Sequence, residues 1–352
     1  MTTAAPPKMP LLVRALRGMK TPRRPVWLMR QAGRYLPGYQ AVRREVSFLD
    51  LCRRPDLGAQ VSLEPVERFG MDAAIVFSDI LVPLQAMGVE VEFHDRGPEI
   101  TRTVRDGNAV DALRKFDPAA QTPWILETIG RLAAVLPSDI PVIGFAGAPW
   151  TLAVYAVEGR MSKDLTAAKT MRWREPEVLR RLLFHLAAAT VPYLTAQAKA
   201  GARALQLFDT WAGALSRDDY EGFALPALKV VFDGVRHELG EDCPPLVLYS
   251  RGSSAFLDLL LRSGADAFSV DWQLPLGDAK RLLDGRPVQG NLDPTALLGT
   301  ADSVRHATRM MLASVEGQHG VVANLGHGVL VGTPPENVAA FVDEVKRAGE
   351  TG

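Results

Sequence analysis

Cysteine is nearly absent: Cys52 and Cys243 are the only two in 352 residues. They form no CxxC pair and no zinc-ligand spacing, which excludes a disulfide framework and fits a compartment where thiols stay free. A surplus of charge is also lacking, since 40 Lys and Arg balance 40 Asp and Glu. No global field therefore recruits nucleic acid or an anionic membrane, although a net count does not say where charges cluster. No apolar run approaches the ~18 residues of a membrane span, and Met1 to Pro10 has no secretion-signal core. The expected location is the cytoplasm. Linkers and low-complexity tracts are missing as well, so one domain is expected, with residues 1–24 as tail and lead-in helix and 25–348 as the body.

What is present is an ordinary globular balance, 47% hydrophobic and 23% charged. A chain near this length buries roughly three quarters of its unfolded surface and needs no disulfide or metal staple. A pattern recurs along it: a short apolar run, then Gly, Asp, Asn or Ser, then a longer helical stretch. Eight such runs are found: Val26 to Arg30, Ala73 to Phe77, Val142 to Ala146, Leu205 to Asp209, Val247 to Arg251, Phe268 to Trp272, Val288 to Leu292 and Val322 to Gly326. Most are continuous rather than alternating, as parallel strands covered on both faces read. The pattern predicts an α/β chain folded as a single (β/α)8 TIM barrel with loop insertions, one being a hairpin within Val89 to Arg105. Glu177 to Gly201 reads as a helix. Thr333-Pro334-Pro335-Glu336 predicts the start of another, with Thr333 as N-cap and Val338, Phe341, Val342 and Val345 on its buried face.

Barrel sites are built at the carboxyl ends of the strands, and there the sequence turns polar. Arg30, Gln31 and Arg34 follow the first run, Ser78 and Asp79 the second, Asp209 and Thr210 the fourth, Asn324 and His327 the last; Tyr155 follows the third by nine residues. If Gln31 to Tyr35 forms a helical turn, Arg30 and Arg34 face the same way. They are then either a solvated pair or a fork for a ligand with several carboxylates. Asp79 is either an N-cap or a carboxylate aimed at N–H donors or developing positive charge. His327, between Gly326 and Gly328, is a proton donor or a hydrogen-bonded loop residue. The glycines at 326, 328 and 332 miss the dinucleotide fingerprint, and no phosphate loop, nucleophile elbow or HExxH is present. No metal site is expected.

Six segments in order, Pro25 to Tyr39, Phe77 to Leu81, Gly144 to Tyr155, Leu207 to Gly213, Gln289 to Pro294 and Asn324 to Val329, closely resemble the signatures of the uroporphyrinogen decarboxylase family. The resemblance runs from residue 25 to about 345. It implies a (β/α)8 barrel, usually a homodimer, that converts uroporphyrinogen III to coproporphyrinogen III by removing four acetate carboxylates without metal or organic cofactor. It also implies that Arg30 and Arg34 meet substrate carboxylates, with Gln31 between them as a further substrate-binding residue. Asp79 would bind the pyrrole N–H groups and counter the cationic intermediate, and Tyr155 and His327 would touch substrate. Thr210 stands where many members have serine, and Gly38 where a glutamate is common. Gly159 to Asp164 resembles a segment over the cleft. Arg30 is a candidate proton donor from the family's geometry, with His327 or a bound water as the chemically easier choice. The alternatives are a corrinoid-linked methyltransferase of the same superfamily and a non-catalytic tetrapyrrole carrier.

Overall fold

The computed structural model describes residues 9–94, 97–160 and 162–348. Part of the Met1 to Pro10 reading, the tip of the expected hairpin and Met161 of the cleft segment lie outside the described residues. Seven parallel strands form one curled sheet: β1 (Ala74–Ile75), β4 (Val142–Gly147), β5 (Ala202–Asp209), β6 (Leu246–Ser250), β7 (Ala267–Val270), β8 (Val288–Leu292) and β9 (Val321–Leu325), hydrogen bonded in that order. β2 (Val91–His94) and β3 (Gly97–Ile100) make the expected antiparallel hairpin apart from the sheet. Seven of the eight apolar runs thus become strands. Every residue of β4, β6, β7, β8 and β9 is buried, as runs covered on both faces must be. Helices cover the outside, the longest being Pro176–Lys199.

The first run departs from expectation. Val26 to Arg30 forms no ladder; Val26 makes a single parallel bridge to Ala323 of β9. The segment nevertheless lies between the two edge strands. The Ala323 amide donates to the Pro25 carbonyl, 2.9 Å, and the Asp72 amide, just before β1, donates to the Val26 carbonyl, 2.8 Å. The Trp27 amide donates to the Ala323 carbonyl at 3.4 Å, and side chains take three others: Val26 N–H goes to Asp72 Oδ2 (2.8 Å), Leu28 N–H to Gln31 Oε1 (3.0 Å) and Met29 N–H to Asn324 Oδ1 (3.0 Å). A buried amide must be paired, but a side-chain oxygen serves as well as a strand carbonyl. The run is therefore satisfied without being a strand.

Two local expectations also need correction. Residues 31–35 form a series of bends and turns, and the helix begins only at Pro37. Arg30 is left-handed, with φ of 60°, and a Cβ on Gly33 would stand 3.1 Å from the Arg30 carbonyl oxygen. The helical spacing of Arg30 and Arg34 is therefore not realised. Thr333 does not cap the last helix: it starts at Pro335 with Pro334 at the N-cap, and the buried Thr333 hydroxyl has no partner among the described residues. The apolar face of that helix is as expected, Val338, Phe341 and Val342 being fully buried. Gly38 proves to be a packing position. The Glu64 carboxylate accepts from the Gly38 and Tyr39 amides at the helix start, and a Cβ at 38 would meet it at 2.5 Å.

Candidate active site

Inside the curled sheet, side chains stack in layers. The lower layer is polar and linked across the interior: Trp27 Nε1 donates to Gln289 Oε1 (2.8 Å), and Gln289 Nε2 donates to Gln206 Oε1 (2.9 Å) and Ser269 Oγ (3.0 Å). Strand residues two apart point to the same side, so Phe208 stands above Gln206. Phe208 meets Phe145 at 5.6 Å and Tyr249 at 5.7 Å, both edge to face, and Tyr249 stacks on His327 at 5.9 Å. This aromatic layer is the floor of the space at the strands' carboxyl ends, where α/β sites form.

Around that floor stand most of the residues expected from the sequence. Asp79, Tyr155, Thr210 and His327 are half-buried, whereas Arg30 and Arg34 are exposed. The Arg30 charge acts on Asp79, Tyr155, Tyr249 and His327 alike, which places it among them. Arg34 sits nearer Tyr39. Gln31 stands apart from the group. It is fully buried, and besides holding Leu28 it donates to the Ala73 carbonyl at 3.0 Å, so its amide secures the turn and does not face the opening.

Asp79 does not cap a helix; its Oδ1 accepts from the Leu81 amide two residues on, 2.8 Å, and the next helix starts at Val82 without a side-chain cap. Burial pushes its carboxyl above the usual range, with the Leu81 amide and Arg30 pulling it partly back. A carboxylate kept partly dry and short of partners is primed to gain from N–H donors or a cation. His327 is held by Tyr249. The Tyr249 hydroxyl donates to the Gly326 carbonyl at 2.9 Å and lies 3.0 Å from His327 Nδ1. With the hydroxyl proton so used, Nδ1 must carry the hydrogen, leaving Nε2 an acceptor. Burial, Arg30 and Arg251 lower the imidazole to about 3. His327 is thus neutral near pH 7.

The glycines near His327 work as the sequence suggests. A Cβ on Gly326 would stand 2.7 Å from the Trp272 amide, and one on Gly328 2.3 Å from Arg30 Cδ. Gly328→Ala should displace the Arg30 stem and raise KM about tenfold with the melting temperature nearly unchanged. Steady-state kinetics check this; an unchanged KM would show that the stem bears no load.

Behind the site, helix Pro149–Glu158 carries Tyr155, whose ring packs edge to face on Trp211 at 6.3 Å. Thr151 ties that helix to β5. Its hydroxyl donates to Asp209 Oδ1 (2.8 Å) and accepts from the Trp211 amide (3.2 Å), so the turn holding Thr210 is fixed from behind. Asp209 is fully buried and its Oδ2 has no partner among the described residues; burial raises its carboxyl to about 7, against the Thr151 and Tyr220 hydroxyls. A raised folded pKa means that the native state holds the proton when the unfolded chain has lost it. The Asp209 contribution to stability should therefore fall as pH rises from about 4 to about 7. His327 works in the opposite direction as pH falls below its ordinary 6.5, so the test is a difference: Asp209→Asn should gain stability relative to wild type across that window. A flat difference between the two urea midpoints would exclude a raised Asp209 pKa.

Arg251, Trp272 and Tyr249, the partner of His327, were not among the residues expected at the site, although Arg251 and Trp272 each end a predicted strand. The signal for Arg251 was present, since it is the first polar charge after an apolar run. Among the described residues no three His, Cys, Asp or Glu side chains come together as a metal site would require. A cavity of about 530 Å³ lined by Arg17, Arg203, Glu238 and Asp242 opens at the other end, near the start of β5, away from these residues.

The family model described as uroporphyrinogen decarboxylase (URO-D) matches residues 7–348. The chain belongs to the uroporphyrinogen decarboxylase family. It is 44% identical over 336 residues to the uroporphyrinogen decarboxylase of Syntrophotalea carbinolica, covering 95% of this chain and 96% of the relative. It is also 44% identical to that of Myxococcus xanthus, covering 96% of each chain. Among solved structures, a methyltransferase from Methanosarcina mazei superposes with a TM-score of 0.81 over 97% of this chain and 99% of that one. Identity there is 21%, so the likeness is one of fold. It bears out an α/β architecture with a curled parallel sheet, shared between uroporphyrinogen decarboxylases and methyltransferases. No helix among the described residues is long and apolar enough to cross a membrane.

Proposed function

We propose that the chain is a uroporphyrinogen decarboxylase, an enzyme that removes the four acetate carboxylates of uroporphyrinogen III and leaves the tetracarboxylate coproporphyrinogen III. The observation that carries the reading is the Asp79 carboxylate beside Arg30, above a floor of Phe145, Phe208 and Tyr249. A macrocycle with apolar faces, N–H groups at its centre and carboxylates at its edge fits that arrangement. Aromatic edges take the ring faces, a carboxylate takes the N–H groups, and guanidiniums take the rim.

In each round the pyrrole α-carbon next to the carbon bearing the acetate accepts a proton, and the ring becomes a cation conjugated to the acetate-bearing carbon. The bond from the methylene to the carboxylate breaks, its electron pair flows into the ring, and carbon dioxide leaves. The methylene carbon then takes a proton to become methyl, and the α-carbon gives its own back. One proton is consumed per carboxylate lost. Asp79 stabilises the cation where it forms, in surroundings that exclude water. Arg30 holds a reacting or neighbouring carboxylate and is placed to pass a proton toward the ring, although a guanidinium is so weak an acid that a water it orients is the easier source. Neutral His327 supplies an acceptor and the Tyr155 phenol, kept protonated by burial, a donor; Arg34 and the Thr210 hydroxyl complete the contacts to substrate. None of these steps requires a metal or an organic cofactor.

We read the Pro25 to Met29 segment as the eighth position of a barrel, residues 25–348 as a single catalytic domain, and the working unit as a cytoplasmic homodimer. The methyltransferase alternative loses its basis where the curated relatives are decarboxylases, and the carrier alternative is less economical than an enzyme with Asp79 in place. Anaerobic incubation with uroporphyrinogen III and chelator, followed by oxidation and separation by carboxylate number, tests the reading. Hepta- through tetracarboxylate porphyrins are expected; unchanged octacarboxylate from folded protein would refute it.

A further inference from the structure

A third arginine faces the same space. Phe208 and Tyr249 are paired across β5 and β6, and both point inward to the aromatic floor. One step further along each strand, Thr210 and Arg251 fall on the same inward side, at the rim. Arg251 lies 5.6 Å from the Trp272 ring, and its charge is felt by His327 and Tyr249, so the guanidinium is held over the opening. The nearby acid cannot neutralise it easily. Asp271 is already committed, its Oδ2 accepting from the Gly252 amide and its Oδ1 from the Gln273 amide at 3.0 Å. Among the described residues Arg251 has an aromatic partner but no carboxylate within ion-pair distance. A half-buried guanidinium left this way gains strongly from a ligand carboxylate, because its partial desolvation has already been met in folding.

We propose that Arg251 is a further substrate-binding residue, one that takes a propionate of the macrocycle and so grips the substrate through every round of decarboxylation. The proposal rests on the decarboxylase reading. The argument for propionate over acetate is position. In the order of the sheet, β6 is three strands away from β1, which leads to Asp79. The acetate under attack must lie near Asp79, so the group reaching Arg251 belongs to another arm, and the longer arms are those that persist in the product.

The test compares wild type, Arg251→Gln and Arg251→Lys on uroporphyrinogen III and on the pentacarboxylate intermediate. Loss of a charge-assisted contact of this kind corresponds to about tenfold or more in affinity. Arg251→Gln should raise KM at least about tenfold, by the same factor for both substrates and with kcat within about twofold; Arg251→Lys should recover part of the loss. An unchanged KM overturns the proposal. A rise confined to the octacarboxylate overturns it in favour of an acetate contact, and a fall in kcat alone overturns it by moving Arg251 into the chemistry. If wild type leaves uroporphyrinogen unchanged, the decarboxylase reading fails separately. Arg251 is then judged by fluorescence titration with coproporphyrin: weaker binding by Arg251→Gln sustains the carboxylate site, and equal binding overturns it.

Discussion

Asp79→Asn should yield a folded protein that decarboxylates uroporphyrinogen III about a thousandfold more slowly than wild type. The exchange keeps size, and the amide oxygen can still accept from the Leu81 amide, so the turn that presents the side chain survives. What disappears is the negative charge. Removing a single preorganised group aimed at charge in the transition state costs on the order of 100- to 1000-fold. Here the lost group is a full charge facing a full cation, in surroundings that already raise its pKa. Anaerobic single-turnover assays with matched thermal melts check this, and a wild-type rate from folded Asp79→Asn would remove Asp79 from the mechanism.

Asp72→Ala should lower stability by about 3 kcal/mol, the second large effect. Asp72 accepts two bonds from Arg23, Nη1 to Oδ2 at 2.7 Å and Nη2 to Oδ1 at 2.6 Å, and its Oδ2 also takes the Val26 amide. Truncation leaves a buried N–H and a half-buried guanidinium unpaired at once, and such orphans cost more than the intact contacts contribute. The urea midpoint measures it. An exposed pair such as Arg131 with Glu127 supplies the control, for which truncation of Arg131 should hardly move the midpoint. If both variants unfold alike, the Asp72 contacts do not hold the seam.

The contrast between these two aspartates shows what the sequence could reveal. Asp79 was legible because it follows an apolar run, where an acid needs a reason to exist. Asp72 precedes one, and nothing in its neighbourhood marks it; only its partners, far along the chain, give it weight. The same limit governs the fold. Runs such as Val142 to Ala146 and Val288 to Leu292 read correctly because burial on both faces leaves a continuous apolar signature. Val26 to Arg30 carries that signature and still forms no ladder, since Asp72, Gln31 and Asn324 stand in for strand carbonyls. Apolar patterning reports burial and is silent on which oxygen receives each amide. Gln31 meets a related limit: its side chain turns inward to the Leu28 amide and the Ala73 carbonyl, partners that no local pattern names. Thr333 had the spacing of a cap, but the adjoining prolines set where the helix begins.

The segment between β9 and β1 also orders events in time. Met29 is fastened to Asn324, 295 positions later in the chain, and the Arg30 stem lies over Gly328. While the polypeptide emerges from the ribosome, Asp79, Tyr155 and Thr210 can all be in place before the residues that seat Arg30 have been made. Closing so long a loop is entropically the costliest pairing in such a topology and is favoured only once the intervening strands have assembled. A nascent chain halted before β9 therefore has most of its catalytic groups and no seat for Arg30, and activity begins only when about the last tenth of the protein has been translated and returns to meet the first.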